Sequence, residues 1–170
     1  MLRPSIEEYP VFFDKYVQKV SDGEIEEVLN EQLSDALALL SGVDDARGNY
    51  RYGPDKWTLK EVIGHINDCE RIMSYRLLRI ARGDKTPMQS FDENQYVNAA
   101  IFNQLSLTQL IEEFTLIRKA TIALIRGITD EAYSRTGTVS DHPMSARALA
   151  YVVAGHEKHH MLIIKERYLA

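Results

Sequence analysis

Four stretches of this 170-residue chain repeat apolar side chains every three or four positions, the spacing that gathers them on one face of an α-helix. The stretches are residues 22–41, 59–82, 107–126 and 145–168. Each apolar stripe is wide enough to face the core of a bundle, and no strand-like alternation of useful length competes with it. The pattern therefore predicts an all-α fold, a four-helix bundle.

Local signals mark where three of these helices begin and end. The capping-box pattern pairs a hydroxyl with an acid or amide three residues later, and both side chains bond free backbone N–H groups. It occurs at Ser21–Glu24, Thr58–Glu61 and Ser106–Gln109. Glycine favours helix ends, and it follows the same three helices at Gly42, Gly83 and Gly127.

The connections between the helices indicate the topology. Residues 83–106 form the longest connection, which is long enough to cross the bundle between the second and third helices and to hold a short helix near 92–102. Residues 1–20 contain several aromatic side chains and are expected to pack across the bundle as an extended or short helical arm. The whole chain, 1–170, is expected to form a single domain.

Composition excludes several classes of partner. The chain is 45% hydrophobic and 26% charged, which is typical of a soluble globular protein, and its net charge of −5 argues against a nucleic-acid partner. No apolar stretch approaches the roughly 20 residues that span a bilayer, so no membrane partner is expected. The single cysteine, Cys69, cannot form an internal disulfide, which favours a cytoplasmic location.

The segment VVAGHEKHHMLII, residues 152–164, places three histidines and a glutamate inside an apolar run. His156 and His160 are one helical turn apart on the inward face, and His65 lies at the edge of the second apolar stripe. Each could be a core residue bonded to a carbonyl, but an unpaired buried polar group costs about 1–3 kcal/mol. A divalent metal bound by His65, His156 and His160 removes that cost for all three.

The sequence patterns at four other polar residues are less specific. Residues 156–160 match H-E-x-x-H, in which Glu157 would be a general base, although the usual H-x-x-G-x-x-H continuation is missing. Glu157 is therefore a candidate catalytic residue or a solvated helix residue. His159 is expected at the rim and His142 in a turn. Cys69 could be a fourth ligand but is interpreted as packed core.

The chain resembles the DinB-like metal-binding four-helix bundles over nearly its whole length. The resemblance is carried by WTLKEVIGH, residues 57–65, together with the late H-x-x-x-H pair. It implies helices in up-down-down-up order, a three-histidine divalent metal site that maps onto His65, His156 and His160, and a homodimer as an expected assembly. Residues 161–164 are more apolar than the glycine and glutamine common in the family, which leaves the branch of the family open.

The resemblance and the open metal site together favour an enzyme acting on a small molecule. Related branches are bacillithiol- or mycothiol-dependent transferases and a thiol-dependent isomerase. The leading hypothesis is therefore a transferase that uses one divalent ion, zinc or nickel before iron or manganese, to activate a low-molecular-weight thiol for attack on an electrophile. The substrate pocket is expected at the 83–106 connection or a bundle end. The alternatives are a hydrolase using metal-bound water and a non-catalytic metal-binding stress-response protein.

Overall fold

A computed structural model describes all residues from Met1 to Ala170. In chain order its elements are α1 (Asp14–Val17), α2 (Ile25–Leu40), α3 (Asp45–Gly48), α4 (Leu59–Ala81), α5 (Glu93–Ala99), α6 (Leu107–Arg126), α7 (Asp130–Tyr133), β1 (Thr136–Val139), β2 (His142–Ser145) and α8 (Ala146–Ile163). Short 3-10 turns lie at Ile6–Glu8, Val11–Phe13 and Phe102–Gln104, and α8 continues into a π-helical turn, Ile164–Tyr168. The four long helices and the short helix in the crossover confirm the predicted four-helix bundle.

The long helices form a closed ring in which α4 packs against α6 and α8, and α2 packs against the same two helices. The α4 and α6 helices run in the same direction, because Asn67 bonds the carbonyl of Leu110 and Arg71, one turn further, bonds Glu113. A connection between parallel helices must return along the bundle, which explains the length of residues 83–106. No helix offers a stretch apolar and long enough to span a lipid bilayer.

The opposite sense of α8 follows from two contacts with α4 and its preceding loop. At the end of the chain, the Tyr168 hydroxyl donates a 2.7 Å bond to the carbonyl of Trp57, just before α4 begins. His65, further along α4, meets His156, which is earlier in the chain than Tyr168. The α8 helix therefore runs antiparallel to α4, and this brings the two histidine-bearing segments to the same height.

The core consists of two apolar clusters stacked along the bundle axis. One joins the first half of α8 to the arm and to the ends of α4 and α6. The other joins the start of α4 and α6 to the end of α8. Between them, all four long helices carry buried polar residues at a common level: Gln32, His65, Glu70, Arg118, His156 and Glu157. A polar layer thus crosses the middle of the bundle.

An ion pair dominates the side of this layer that faces α2 and α6. Arg118 is completely buried, and its Nε and Nη2 donate to the two oxygens of Glu70 at 2.9 Å each. Its Nη1 donates to Gln32, whose amide in turn donates to the carbonyl of Ala154. Buried charges are tolerated when they are paired and hydrogen-bonded in this way.

The N-terminal arm lies along α8. The closest approach is at Gly155, where a Cβ atom would stand only 2.0 Å from the carbonyl oxygen of Tyr16. Near its start the arm is tied down by Glu8, which accepts hydrogen bonds from Arg147 and Ser145. Partial burial tends to raise the pKa of Glu8, but bonds from Arg147, the Ser5 amide and Ser145 outweigh it and lower the pKa to about 2.

Two of the three predicted capping boxes are present. Thr58 and Ser106 accept the expected backbone hydrogen bonds from Glu61 and Gln109. The prediction at Ser21 was wrong, because α2 begins one turn later with Glu24 as its N-cap and no capping side chain. The intervening Gly23 has a φ of +142°, a conformation that ends helical geometry before Ile25.

A β-hairpin before α8 was not predicted from the sequence. Its strands have four residues each, too short for alternation to be visible, and its turn residues Ser140 and Asp141 have φ values of 51° and 66°. Positive φ at both positions is the geometry of a two-residue hairpin turn, usually filled by Asn-Gly. His142, expected in the turn, is the first residue of β2 and pairs with Val139.

Removal of the negative charge beside Arg118 should destabilise the bundle strongly. We expect Glu70→Gln to lower the free energy of unfolding by about 3–5 kcal/mol, because a completely buried guanidinium loses its partner. Glu113→Gln is the matched control, since its partner Arg71 is about half exposed and such pairs contribute roughly 0–1 kcal/mol. Urea unfolding of the variants measures both changes in the free energy of unfolding. If both variants lose equally little stability, the buried pair does not stabilise the bundle as described.

The close approach at Gly155 predicts a second stability effect. We expect Gly155→Ala to displace the arm and to destabilise the protein by about 1–3 kcal/mol, because the new methyl group overlaps the Tyr16 carbonyl. Gly127→Ala is the control, since a Cβ there meets only Leu124 O at 3.5 Å. Thermal unfolding and limited proteolysis of residues 1–20 measure the change; an arm that stays protected in Gly155→Ala would refute this account.

Candidate metal centre

Three imidazole rings from two helices meet inside the polar layer. His65 extends from α4, and His156 and His160 extend from successive turns of α8. The ring centroids lie 5.0 Å apart for His65 and His156, 4.9 Å for His65 and His160, and 4.5 Å for His156 and His160. The antiparallel packing of α4 and α8 thus places all three rings in mutual contact.

The distance between two ring nitrogens fits a shared metal ion. The Nε2 atoms of His65 and His156 are 3.2 Å apart. Two ligands bound tetrahedrally at about 2.0–2.1 Å from a zinc ion would be separated by ~3.3 Å. The same distance also allows one neutral ring to donate a hydrogen bond to the other, so geometry permits both a metal ligand pair and a hydrogen-bonded pair.

Burial keeps the three rings in the neutral form that metals bind. Removal from water lowers the pKa of His65 to about 4. It lowers that of His160 to about 3, with smaller contributions from His65, His159 and Lys15. The pKa of His156 is also far below its usual value, first through burial and then through the neighbouring histidines. At neutral pH the rings therefore have free lone pairs for a cation.

Cys69 lies beside the same cluster, one turn along α4 from His65. Its Sγ is 3.6 Å from Nδ1 of His65, and the ligand atoms of His65, Cys69 and His156 all lie within 4.8 Å of one another. His160 is not part of that tighter group, although its ring touches both other imidazoles. We favour His160 as the third ligand, since burial raises the pKa of the Cys69 thiol and disfavours the thiolate.

Two aromatic side chains enclose the rings. Trp57 packs on His65 with ring centroids 4.8 Å apart, and Tyr16 of the arm makes edge contacts with His156 and His159 at 5.3 and 5.4 Å. His159 is only partly buried, on the side towards the arm. Sequence reasoning identified neither aromatic residue as part of the site. No sequence pattern marks Tyr16 as a site residue, because only the tertiary fold brings the arm to α8.

The family model of the DinB superfamily matches residues 29–164, most of the chain. The chain belongs to the DinB superfamily. A relative in Geobacillus kaustophilus (strain HTA426), named "Putative metal-dependent hydrolase GK0616", is 23% identical over 159 residues that cover 89% of this chain and 88% of the relative.

A solved structure of the same architecture supports the fold. YfiT from Bacillus subtilis, described as "a probable metal-dependent hydrolase with an unusual four-helix bundle topology", superposes with a TM-score of 0.71. The match covers 97% of this chain and 90% of YfiT at 19% sequence identity. At that identity the likeness establishes the bundle fold of this DinB superfamily member.

Glu157 lies on a different face of α8 from the adjacent His156. It is buried among the groups of the ion-pair side of the layer, next to the charges of Arg118 and Glu70. Burial raises the pKa of Glu157 to about 7, although the attraction of Arg118 opposes this shift, and its Oε2 has no hydrogen-bond partner. The structure thus brings the three predicted ligands together and places the predicted base towards α2 and α6.

Two cavities flank the imidazole cluster. One of about 230 Å³ is lined by His160, by aromatic residues before α4 and at the chain end, and by Asn94 of α5. The other, of about 330 Å³, is lined by Tyr16, by residues of α4 and by Glu93 of α5. The 83–106 connection therefore contributes to both cavities, next to the candidate metal centre.

Elemental analysis of the untagged protein, purified without added metal or chelator, tests the ligand set. We expect one divalent ion per chain in the wild type and its loss in His160→Ala, because an imidazole is removed from the cluster. His142→Ala is the matched control, since this histidine is exposed in the hairpin. Cys69→Ser should retain the ion, and the cobalt-loaded wild type should show no sulfur-to-metal absorption band, because Cys69 is not a ligand. Loss of metal in Cys69→Ser but not in His160→Ala would replace His160 by Cys69 in the ligand set.

Proposed function

We propose that this protein is a divalent-metal-dependent hydrolase of a small molecule, in which His65, His156 and His160 hold the ion. The observation that carries the proposal is the convergence of three neutral, largely buried imidazoles from α4 and α8, with two nitrogens 3.2 Å apart. Three protein ligands leave coordination positions open, which distinguishes catalytic from structural zinc sites. The names of the two similar proteins are the reason for preferring water to a thiol as the nucleophile.

The chain's own residues supply ligands, orientation and shielding. When bound, a divalent ion lowers the pKa of a water or thiol and so provides a nucleophile at neutral pH. Trp57 and Tyr16 restrict the orientation of His65 and His156 and exclude bulk water from one side of the rings. His160 lines the 230 Å³ cavity directly, so this cavity opens onto the cluster of imidazoles.

Hydrolysis of simple esters, amides and phosphoesters by protein loaded with zinc, nickel, iron or manganese tests the proposal. We expect turnover that falls by more than ~100-fold in His160→Ala, since loss of a group that merely supports a metal ligand already costs about 10–100-fold. His142→Ala should keep wild-type rates. Absence of hydrolysis with every metal, in protein shown to contain the ion, would refute the hydrolase proposal.

The same assay decides the role of Glu157. A general base contributes about 10²–10⁴-fold to a rate, so a loss of that size in Glu157→Gln would assign the base. We expect a loss below ~10-fold, because Glu157 faces Arg118 and Glu70 rather than the imidazoles. Circular dichroism and urea unfolding of the same variant separate a catalytic effect from a change in the buried ion-pair network.

A thiol transferase is the second candidate, favoured by one feature of the site. No carboxylate belongs to the group of ligand atoms around His65 and His156, and the further imidazole beside the cluster is His159, which packs 5.1 Å from His160. A thiol, with a pKa near 8.5, loses its proton more readily than water and needs a base less. Consumption of a low-molecular-weight thiol with a haloarene, dependent on metal and on His160, would establish this activity and displace hydrolysis.

A further inference from the structure

The 330 Å³ cavity beside the candidate metal centre has an unusual composition. It lies between the N-terminal arm, α4 and the start of α5, and we call it the arm cavity, defined by Phe12, Tyr16, Arg76, Phe91 and Glu93. Its volume falls in the range of small-molecule sites, about 300–1,000 Å³. Aromatic rings from both the arm and the crossover form its walls, and one buried guanidinium reaches it from α4.

Arg76 is a buried cation without an anionic partner. It is only 4% exposed, yet none of the groups that its guanidinium bonds is a carboxylate. Its hydrogen bonds go to the carbonyl of Gln89 at 2.6 Å and to the sulfur of Met73 at 3.7 Å. The other fully enclosed arginine, Arg118, has the carboxylate of Glu70. Arginines are seldom buried unless they are paired, so Arg76 lacks a counter-charge that a ligand could supply.

We propose that the arm cavity binds the anionic group of a small substrate, a carboxylate or a phosphate, with Arg76 as the anchoring residue. The guanidinium presents donors in a planar fork that suits the two oxygens of either group. The proposal names the substrate class of the centre described above and rests on the proposed function for the reaction. Binding of the anion itself depends only on the cavity.

The remaining lining residues fit an anion attached to an apolar body. Phe12 and Phe91 offer ring surfaces, and the Arg76 guanidinium lies 5.6 Å from the centroid of Phe91. Lys15 also lines the cavity and lies over Tyr16 at 4.8 Å, which adds a second cation. Glu93 carries the single opposing charge, but it is exposed to solvent and forms no ion pair with Arg76.

The arm cavity adjoins the imidazole cluster through two shared elements. Tyr16 forms a wall of the cavity and contacts the ring of His156 at the same time. Along α4, Cys69, Met73 and Arg76 follow His65 on one face at successive turns. Arg76 is thus roughly 16 Å from His65 along the helix axis, a span that its side chain shortens by pointing back towards the N-terminus. The expected substrate carries its anion at one end and its reacting bond at the other.

Isothermal titration of the full-length protein with benzoate and with phenyl phosphate tests the assignment. We expect both to bind the wild type, and benzyl alcohol, a neutral molecule of similar shape, to bind at least ~10-fold more weakly. Arg76→Gln should weaken benzoate binding by at least ~10-fold, because a charge-assisted bond is lost. Arg82→Gln, which removes an exposed charge at the end of α4, should leave the affinity unchanged.

A second set of variants distinguishes benzoate binding in the arm cavity from benzoate binding at the metal. Benzoate binding should persist in His160→Ala, since the anion is held by Arg76. The proposal is overturned if benzoate no longer binds His160→Ala, which has lost the metal, but still binds Arg76→Gln. Failure of hydrolysis with intact, Arg76-dependent benzoate binding would refute the proposed function alone. If Arg76→Gln does not fold, Arg76→Lys and Lys15→Gln should each weaken binding several-fold, and wild-type affinity in both would overturn the assignment.

Discussion

The Arg118–Glu70 ion pair is the interaction on which the middle of the bundle depends. A completely buried arginine is stable only while its carboxylate stays in place, so the pair fixes α4 against α6 at one height. Gln32 extends the network to α2 and to the backbone of α8. The four helices are therefore joined at that level, and the imidazoles lie on the opposite side of α4 and α8.

The imidazole cluster and the ion-pair network of the polar layer lie on two different faces of α8. His156 turns towards α4, while Glu157, one position later and about 100° around the helix, turns towards Arg118. Apolar clusters lie above and below both halves, and most of the polar groups of the layer are buried. Burial favours neutral imidazoles, which suits a metal site, and makes the opposing carboxylates depend on the arginine.

The arm and the crossover give the site its surroundings. Both contain little regular structure, yet Tyr16 borders the imidazole cluster and the arm cavity, and Glu93 lines the arm cavity. The bundle supplies the candidate ligands, and the segments around it supply the walls and charges of the neighbouring cavities. This division is common in enzymes, since loops vary freely over a rigid scaffold. Arg76 is the exception: it belongs to the scaffold, but its charge is directed into the cavity.

Local patterns in the sequence were enough to predict the four long helices, the crossover and the candidate ligands His65, His156 and His160, because periodic apolar stripes and i, i+4 histidines are visible without the fold. It did not determine the start of α2, where Gly23 overrode an apparent capping box, or the hairpin at Ser140 and Asp141, which uses an uncommon turn pair. The tertiary structure added the residues near the rings that lie far apart in the chain. Tyr16 reaches His156, and Arg76 reaches the aromatic residues of the arm cavity, because distant segments pack together. The side towards which Glu157 faces depends on where α2 and α6 dock, and a single helix cannot encode either kind of contact.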